Sequence, residues 1–337
     1  MPAARRILLI RLSALGDVLF TLPAVNSVRD HFPEARLSYL VSRACAPLLE
    51  GFAAVDETIV FDRDTFRHCR PKSWWRSTIG LAHRLRRANF DLVIDFHSFG
   101  ETAVLGYATG APERWGTIEG KKLRRLAYTN VFPLQHTQHP VDRNLDFLRY
   151  CGVSTAEVRN QFNLRQRWLE MARAKLATLG IDGQRPFIFV QPFTSDPQKD
   201  LPIKKLLQFA RHWKEQDVQV LFGGGPADRE RLLTALQGEF ATSAGIELLL
   251  TAGLMQLAAL VVGSDTGTTH LAVALGRRVV MLVNFLGPQT PIPYGRPEWT
   301  VMPPAGRPVP EIQTEQLIAA ADAALAQPAG DGLPGPA

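Results

Sequence analysis

Apolar and polar positions along the chain switch between two periods. Ile7–Leu12 (ILLIRL) is a short, nearly continuous apolar run, which predicts a buried strand. The small-residue turn Ser13–Asp17 follows, then apolar positions at helical spacing through Arg29, closed by Pro33. Leu37–Val41 (LSYLV), Ile59–Phe61 and Leu92–Phe96 (LVIDF) predict further strands, with a helix over Ser77–Arg87 before the last of them. Asn144–Gly152 reads as helix, and Ser154–Gln161 loses periodicity. The same grammar then restarts. Strands are predicted at Phe187–Gln191 (FIFVQ), Val218–Phe222 (VQVLF), Leu260–Gly263 and Val279–Val283. Helices are predicted at Trp168–Leu179, Pro202–Gln216, Thr268–Leu275 and Gln313–Ala326.

Short apolar strands separated by helices imply parallel sheets covered on both faces. The expected fold class is α/β, with two doubly wound, Rossmann-like domains over residues 1–165 and 166–327. The Gly/Pro/Ala-rich stretch 328–337 is expected to be a disordered tail. Open α/β sheets bind ligands beyond the carboxyl ends of their strands. Both sheets are therefore expected to face a central cleft, and the chemistry is sought in the turns after strands.

Composition narrows the class. With 337 residues, 46% apolar and 21% charged, each half is long enough to bury a core without staples. The three cysteines, Cys45, Cys69 and Cys151, have neither paired nor metal-ligand spacing, which excludes a disulfide scaffold or zinc ribbon and suits a reducing cytoplasm. Arg11 and Asp17 interrupt the apolar N-terminal stretch well short of the roughly 18 apolar residues of a spanning helix. A cytoplasmic protein is expected.

The net charge of +6 is unevenly spread: residues 1–165 hold 23 Lys+Arg against 16 Asp+Glu, and the remainder 15 against 16. The excess clusters in Arg63–Arg87 and Arg114–Arg125. Two readings stand: solvated helix faces, or a surface that attracts an anionic partner. Trp74 and Trp75 are the only adjacent aromatics among these charges and no nucleic-acid motif accompanies them, so nucleic acid is not expected as a partner.

Four turns follow strands. Gly263–Ala272 (GSDTGTTHLA) opens a helix whose amino end favours an anion, with Thr266, Thr268 and Thr269 adding hydroxyls; Asp265 suits sugar hydroxyls better than phosphate. The plain alternative is a helix cap, with Asp265 or Thr266 as the capping side chain. Gln191–Lys199 carries Thr194, Ser195 and Lys199, a set able to clamp a diphosphate or simply to form a solvated turn. Gly223–Asp228 (GGGPAD) admits close approach of a nucleotide, with Asp228 near ribose, but lacks the GxGxxG dinucleotide fingerprint. Asp17, at the tip of the first turn, is either a helix-dipole partner or a general base.

Taken together, IRLSALGDVLFTLPAV, the TS…K loop, GGGPAD and SDTGTTHLAVALG resemble glycosyltransferase family 9, the ADP-heptose:lipopolysaccharide heptosyltransferases and their relatives. The motifs stand in the family's order over roughly residues 5–325. The resemblance implies a GT-B fold and an inverting transfer of heptose from ADP-heptose to an anionic glycolipid acceptor such as the lipopolysaccharide inner core. No metal or other cofactor is implied. By resemblance Asp17 is the catalytic base, Thr194, Ser195 and Lys199 hold the donor diphosphate, Asp228 the ribose, Asp265 the donor sugar, and Thr266, Gly267 and Thr268 the phosphate. Lys199 is counted with the catalytic residues because it neutralises the leaving group. The basic first half, through Arg63, Arg67, Arg84, Arg86, Arg87, Lys121 and Lys122, is expected to bind the acceptor and to touch an anionic membrane face. One departure from the family is noted: Leu257–Leu260 runs straight into Val261–Ser264, as though the helix before that strand were shortened. Two alternatives are a nucleotide-sugar epimerase on the same fold and a non-catalytic nucleotide-sugar binder.

Overall fold

The computed structural model describes residues 4–61, 71–118, 122–134 and 138–327, with backbone only for 71–78 and 122–123. The chain divides into two compact units, Met1–Asn160 and Gln161–Ala337, five residues earlier than the boundary read from periodicity. The tail 328–337, together with Arg63, Arg67 and Lys121, lies outside the described residues, as does the side chain of Lys122.

In the first unit, β1 (Arg6–Ile10), β2 (Arg36–Ser42), β3 (Glu57–Phe61), β4 (Leu92–Asp95), β5 (Glu113–Ile118) and β6 (Asn130–Pro133) form one parallel sheet in the order β3-β2-β1-β4-β5-β6. Helices α1 (Leu15–Leu19), α2 (Leu22–His31), α3 (Pro71–Arg87), α4 (Gly100–Ala108) and α5 (Pro140–Tyr150) supply the connections. Ile7, Leu8, Leu9 and Ile10 are fully buried, which is why β1 reads as an unbroken apolar run rather than an alternating one.

The second unit repeats the plan. Its strands β7 (Phe187–Gln191), β8 (Gln219–Phe222), β9 (Ala241–Thr242), β10 (Leu260–Ser264), β11 (Val279–Leu282) and β12 (Thr300–Val301) run in the order β12-β11-β10-β7-β8-β9, all parallel. Its helices are α6 (Gln166–Thr178), α7 (Ile203–Glu215), α8 (Arg229–Leu236), α9 (Leu248–Leu257), α10 (Gly267–Ala274) and α11 (Thr314–Ala326). Renumbered from its own first strand, each sheet has the 3-2-1-4-5-6 order of a dinucleotide-type fold. The strand order therefore reverses between β1 and β4 in one unit, where Ile10 is level with Asp95, and between β7 and β10 in the other, where Gln191 is level with Gly263.

The segment before β10, read from the sequence as a shortened helix, holds ten helical residues. Helix α9 fills Leu248–Leu257, three residues before the strand, and buries Leu249, Thr251, Ala252, Gly253, Leu254 and Met255. It is apolar almost all round, so it carries no helical period for a sequence reading to detect.

Candidate active site

The second unit gathers its chemistry at the β7/β10 reversal. After β7, Thr194 folds the loop on itself: its amide donates to Asp200 Oδ1 (2.8 Å), its hydroxyl donates to the Asp196 carbonyl (2.6 Å), and that oxygen accepts from the Asp196 amide (3.0 Å). Ser195 is exposed at the loop's tip, and Asp196 accepts from the Gln198 amide (3.1 Å) to begin the turn that ends at Lys199. Ser264, the last residue of β10, donates to the Lys199 carbonyl (2.7 Å) and fastens the loop to the neighbouring strand. Lys199 Nζ thereby stands 3.0 Å from Asp265 Oδ2.

The other oxygen of Asp265 meets His270 Nε2 at 3.0 Å. His270 is buried on α10, five residues further on, so the helix positions it against the carboxylate. Burial alone would push the Asp265 carboxyl up; the hydrogen bond from His270 and the charges of His270 and Lys199 outweigh it and hold it below the ordinary carboxylate value. Thr266 caps α10, accepting from the Thr269 amide (3.3 Å), and Thr269 donates to the Ser264 carbonyl (2.8 Å). A Cβ on Gly263 would lie 2.9 Å from Thr269 Oγ1, so only glycine lets strand and helix close this tightly. Gly267 and Thr268 are half-buried at the amino end of α10, where unpaired backbone amides favour an anion. Beside the Lys199–Asp265 pair opens a cavity of about 220 Å³, walled by Val283, Asn284, Phe285, Gln289, Thr290 and Pro291 among others. Asp228, after β8, accepts from the Gly225 amide (2.8 Å) and closes the glycine turn.

In the first unit the corresponding reversal holds Asp17. Its Oδ2 accepts from the Ala14 amide (3.0 Å) and from Arg11 Nη2 (2.8 Å), and the side chain is 36% exposed. Arg11 Nη1 donates to the Phe96 carbonyl after β4 (2.8 Å). Beneath that loop, buried Asp95 accepts from the His97 and Ser98 amides (2.9 and 2.8 Å) and from the Tyr128 hydroxyl (2.7 Å). Burial pushes the Asp95 carboxyl above its ordinary value despite these bonds. Arg124 Nη1 donates to the Ser98 carbonyl (2.9 Å) at the same edge.

Arg84, Arg86 and Arg87, expected from the sequence to bind the acceptor, do not stand at this edge. They end α3, which returns the chain to the amino edge of the sheet for β4. Arg84 pairs there with Glu57, the first residue of β3 (3.2 Å), and Arg86 lies against Gly110, in the turn before β5. Arg11, Asp95, Tyr128, Arg124 and His270 were missed as site residues. For Arg11 and His270 a signal existed, since both lie inside the two turn motifs. Asp95 and Tyr128 become legible only once β4, β5 and β6 are paired in turn.

Among the described residues no helix is long and apolar enough to cross a membrane, and no three His, Cys, Asp or Glu side chains are grouped to hold a metal ion.

The family model for glycosyltransferase family 9 (heptosyltransferase) matches residues 78–301, two thirds of the sequence. The chain belongs to glycosyltransferase family 9. The lipopolysaccharide core heptosyltransferase OpsX of Haemophilus influenzae is 25% identical to this family 9 chain over 300 residues, covering 87% of it and 82% of OpsX. A family 9 glycosyltransferase from Veillonella parvula superposes with a TM-score of 0.83 at 22% identity, over 95% of this chain and 97% of that one. Escherichia coli heptosyltransferase WaaC with ADP gives 0.75 at 20%, over 95% and 99%. These solved structures show the fold, and it is GT-B.

Proposed function

We propose that this family 9 enzyme is an inverting heptosyltransferase, moving heptose from ADP-heptose to an anionic saccharide acceptor of the lipopolysaccharide inner core, at the cytoplasmic face of the membrane. The observation that carries the reading is the Lys199–Asp265–His270 constellation beside the amino end of α10, at the strand-order reversal where such sheets take nucleotides. OpsX is a lipopolysaccharide core heptosyltransferase and WaaC a heptosyltransferase solved with ADP, which favours ADP-heptose as donor over other nucleotide sugars.

In this reading Asp17 takes the proton from an acceptor hydroxyl as its oxygen attacks the anomeric carbon. The bond to the diphosphate oxygen breaks on the opposite side, which inverts the configuration. The departing nucleoside diphosphate gains negative charge, met by the Lys199 ammonium, the Ser195 hydroxyl and the α10 amides of Gly267 and Thr268, while Thr194, whose hydroxyl donates to the Asp196 carbonyl, shapes the loop. Asp265, kept ionised by the hydrogen bond from His270 and by the Lys199 ammonium, accepts hydrogen bonds from the sugar's hydroxyls, and Asp228 accepts from ribose. Thr266 serves by holding the helix start in place. Arg11 and Arg124, at the same sheet edge as Asp17, supply the charge that draws an anionic acceptor.

The test is to incubate the purified protein with ADP-heptose and with UDP-sugars, each with and without a Kdo-bearing inner-core acceptor, and to analyse products by mass spectrometry. The expected result is acceptor heptosylation that requires ADP-heptose. Conversion of the donor sugar without transfer would favour the epimerase reading. Donor binding with no turnover would favour a binding protein.

A further inference from the structure

Arg11 and the buried Asp95–Tyr128 pair have no chemical step in the reaction, yet they converge on the residue that does. Arg11 is 16% exposed and bridges two elements: Nη1 to the Phe96 carbonyl after β4, and Nη2 to Asp17 Oδ2 on α1. Phe96 belongs to a loop with little freedom. Asp95 Oδ1 accepts from two consecutive amides, His97 and Ser98, while Asp95 Oδ2 accepts from Tyr128. The Ser98 hydroxyl donates to the Asp95 carbonyl (2.7 Å) and accepts from the Thr117 amide of β5 (2.8 Å). The Phe96 carbonyl is thus a fixed point, and Arg11 transmits its position to Asp17.

We infer that Arg11 is a positioning residue for Asp17, and that Asp95 and Tyr128 support the loop on which Arg11 is anchored. The inference rests on the assignment of Asp17 as base. The decisive detail is which oxygen is held. Both bonds recorded for the Asp17 carboxylate, from the Ala14 amide and from Arg11, end on Oδ2. Oδ1 is the oxygen that takes the acceptor's proton. A carboxylate turns readily about its terminal torsion, and two donors on one oxygen stop that rotation. Arginine suits the task because its planar fork carries two donors at fixed separation, whereas a lysine ammonium is a point charge on a flexible stem. A simple surface ion pair would contribute little to stability and would have no reason to be tied to a buried network.

Steady-state kinetics of R11M, R11K, D17N and the double variant R11M/D17N, with donor and acceptor varied in turn, test this. R11M is expected to lower kcat about 10- to 100-fold, the cost of a misplaced reacting group, with donor KM changed less than about twofold. R11K is expected to fall between R11M and wild type, and it carries the test if R11M does not fold. The double variant is expected to be no slower than D17N, because residues that act as one unit are not additive. Wild-type kcat in R11M or R11K alongside an inactive D17N would overturn the positioning role alone, as would a double variant slower than D17N by the full R11M factor. Wild-type turnover in D17N would overturn the base assignment first and this inference with it.

Discussion

Asp265 shows how one residue is given two tasks by its neighbours. Each carboxylate oxygen has its own cationic or protonatable partner, Lys199 on one side and His270 on the other. Its pKa lies below the ordinary value, so it contributes stability above the unfolded pKa of about 3.9 that is lost as pH falls through the lower folded value. Asp265→Asn should therefore be less stable than wild type near pH 6, with the gap narrowing as pH falls below the unfolded value of about 3.9. Urea unfolding of both proteins across that range checks this, and a pH-independent gap would contradict it. Asp17, Lys199 and Asp265 stood out in the sequence because each lies in a polar turn after an apolar run, but only the family resemblance gave them roles. Arg11 stands in such a turn too, but its meaning depends on a carbonyl 85 residues away. Asp95 read as one polar letter in a strand, since nothing local announces that Tyr128 comes to meet it from 33 residues on.

Elements that carry a clear period were found, and those without one were not. The strands flanking each reversal are uniformly apolar and bounded by turn residues, so β1, β4, β7 and β10 were all placed to within a residue or two. Helix α9 escaped because its sequence, LLLTAGLMQL, is apolar on every side. It packs so closely on α6 that a Cβ added at Gly253 would lie 2.6 Å from the Trp168 carbonyl oxygen and 2.9 Å from the Ala172 side chain. Gly253→Ala should destabilise the second unit by about 1–3 kcal/mol, the usual cost of overpacking, and chemical denaturation measures it. Strands β5 and β6 were missed because Glu113, Gly116, Thr117 and Asn130 break both the alternating and the continuous pattern. The carboxyl-terminal part of helix α3 was found, and its basic end stands at the amino edge of the sheet. Five residues of β1, at about 3.3 Å each, separate that end from the Asp17 edge by roughly 15 Å, beyond the 8–10 Å over which exposed charges act at physiological salt. Arg87→Glu should leave acceptor KM unchanged, whereas Arg124→Glu should raise it, most strongly at low salt. A raised KM in Arg87→Glu would return the acceptor to that end of the helix.

Across the whole chain, one topology is used twice and charged differently. Both sheets run 3-2-1-4-5-6 and both set their polar side chains where the strand order turns back. In the first unit that place is held by Arg11 and Asp17, in the second by Lys199, Asp265 and His270. The excess of basic residues belongs to the first half, which suits an anionic acceptor there; the second half is nearly neutral and suits a donor held by amides and one lysine. Charge and turns alone left the division of labour between the units open, and the family resemblance supplied it; periodicity located only the strands and the turns at their ends. The most direct test of the account is Asp17→Asn, assayed for turnover with ADP-heptose and an inner-core acceptor and, separately, for ADP binding by calorimetry. The account predicts that kcat falls by about 10²–10⁴-fold, the usual contribution of a general base, while ADP affinity and melting temperature stay near wild type. Near-normal turnover in Asp17→Asn, with a lowered melting temperature, would instead make Asp17 a structural partner of its helix and contradict the mechanism.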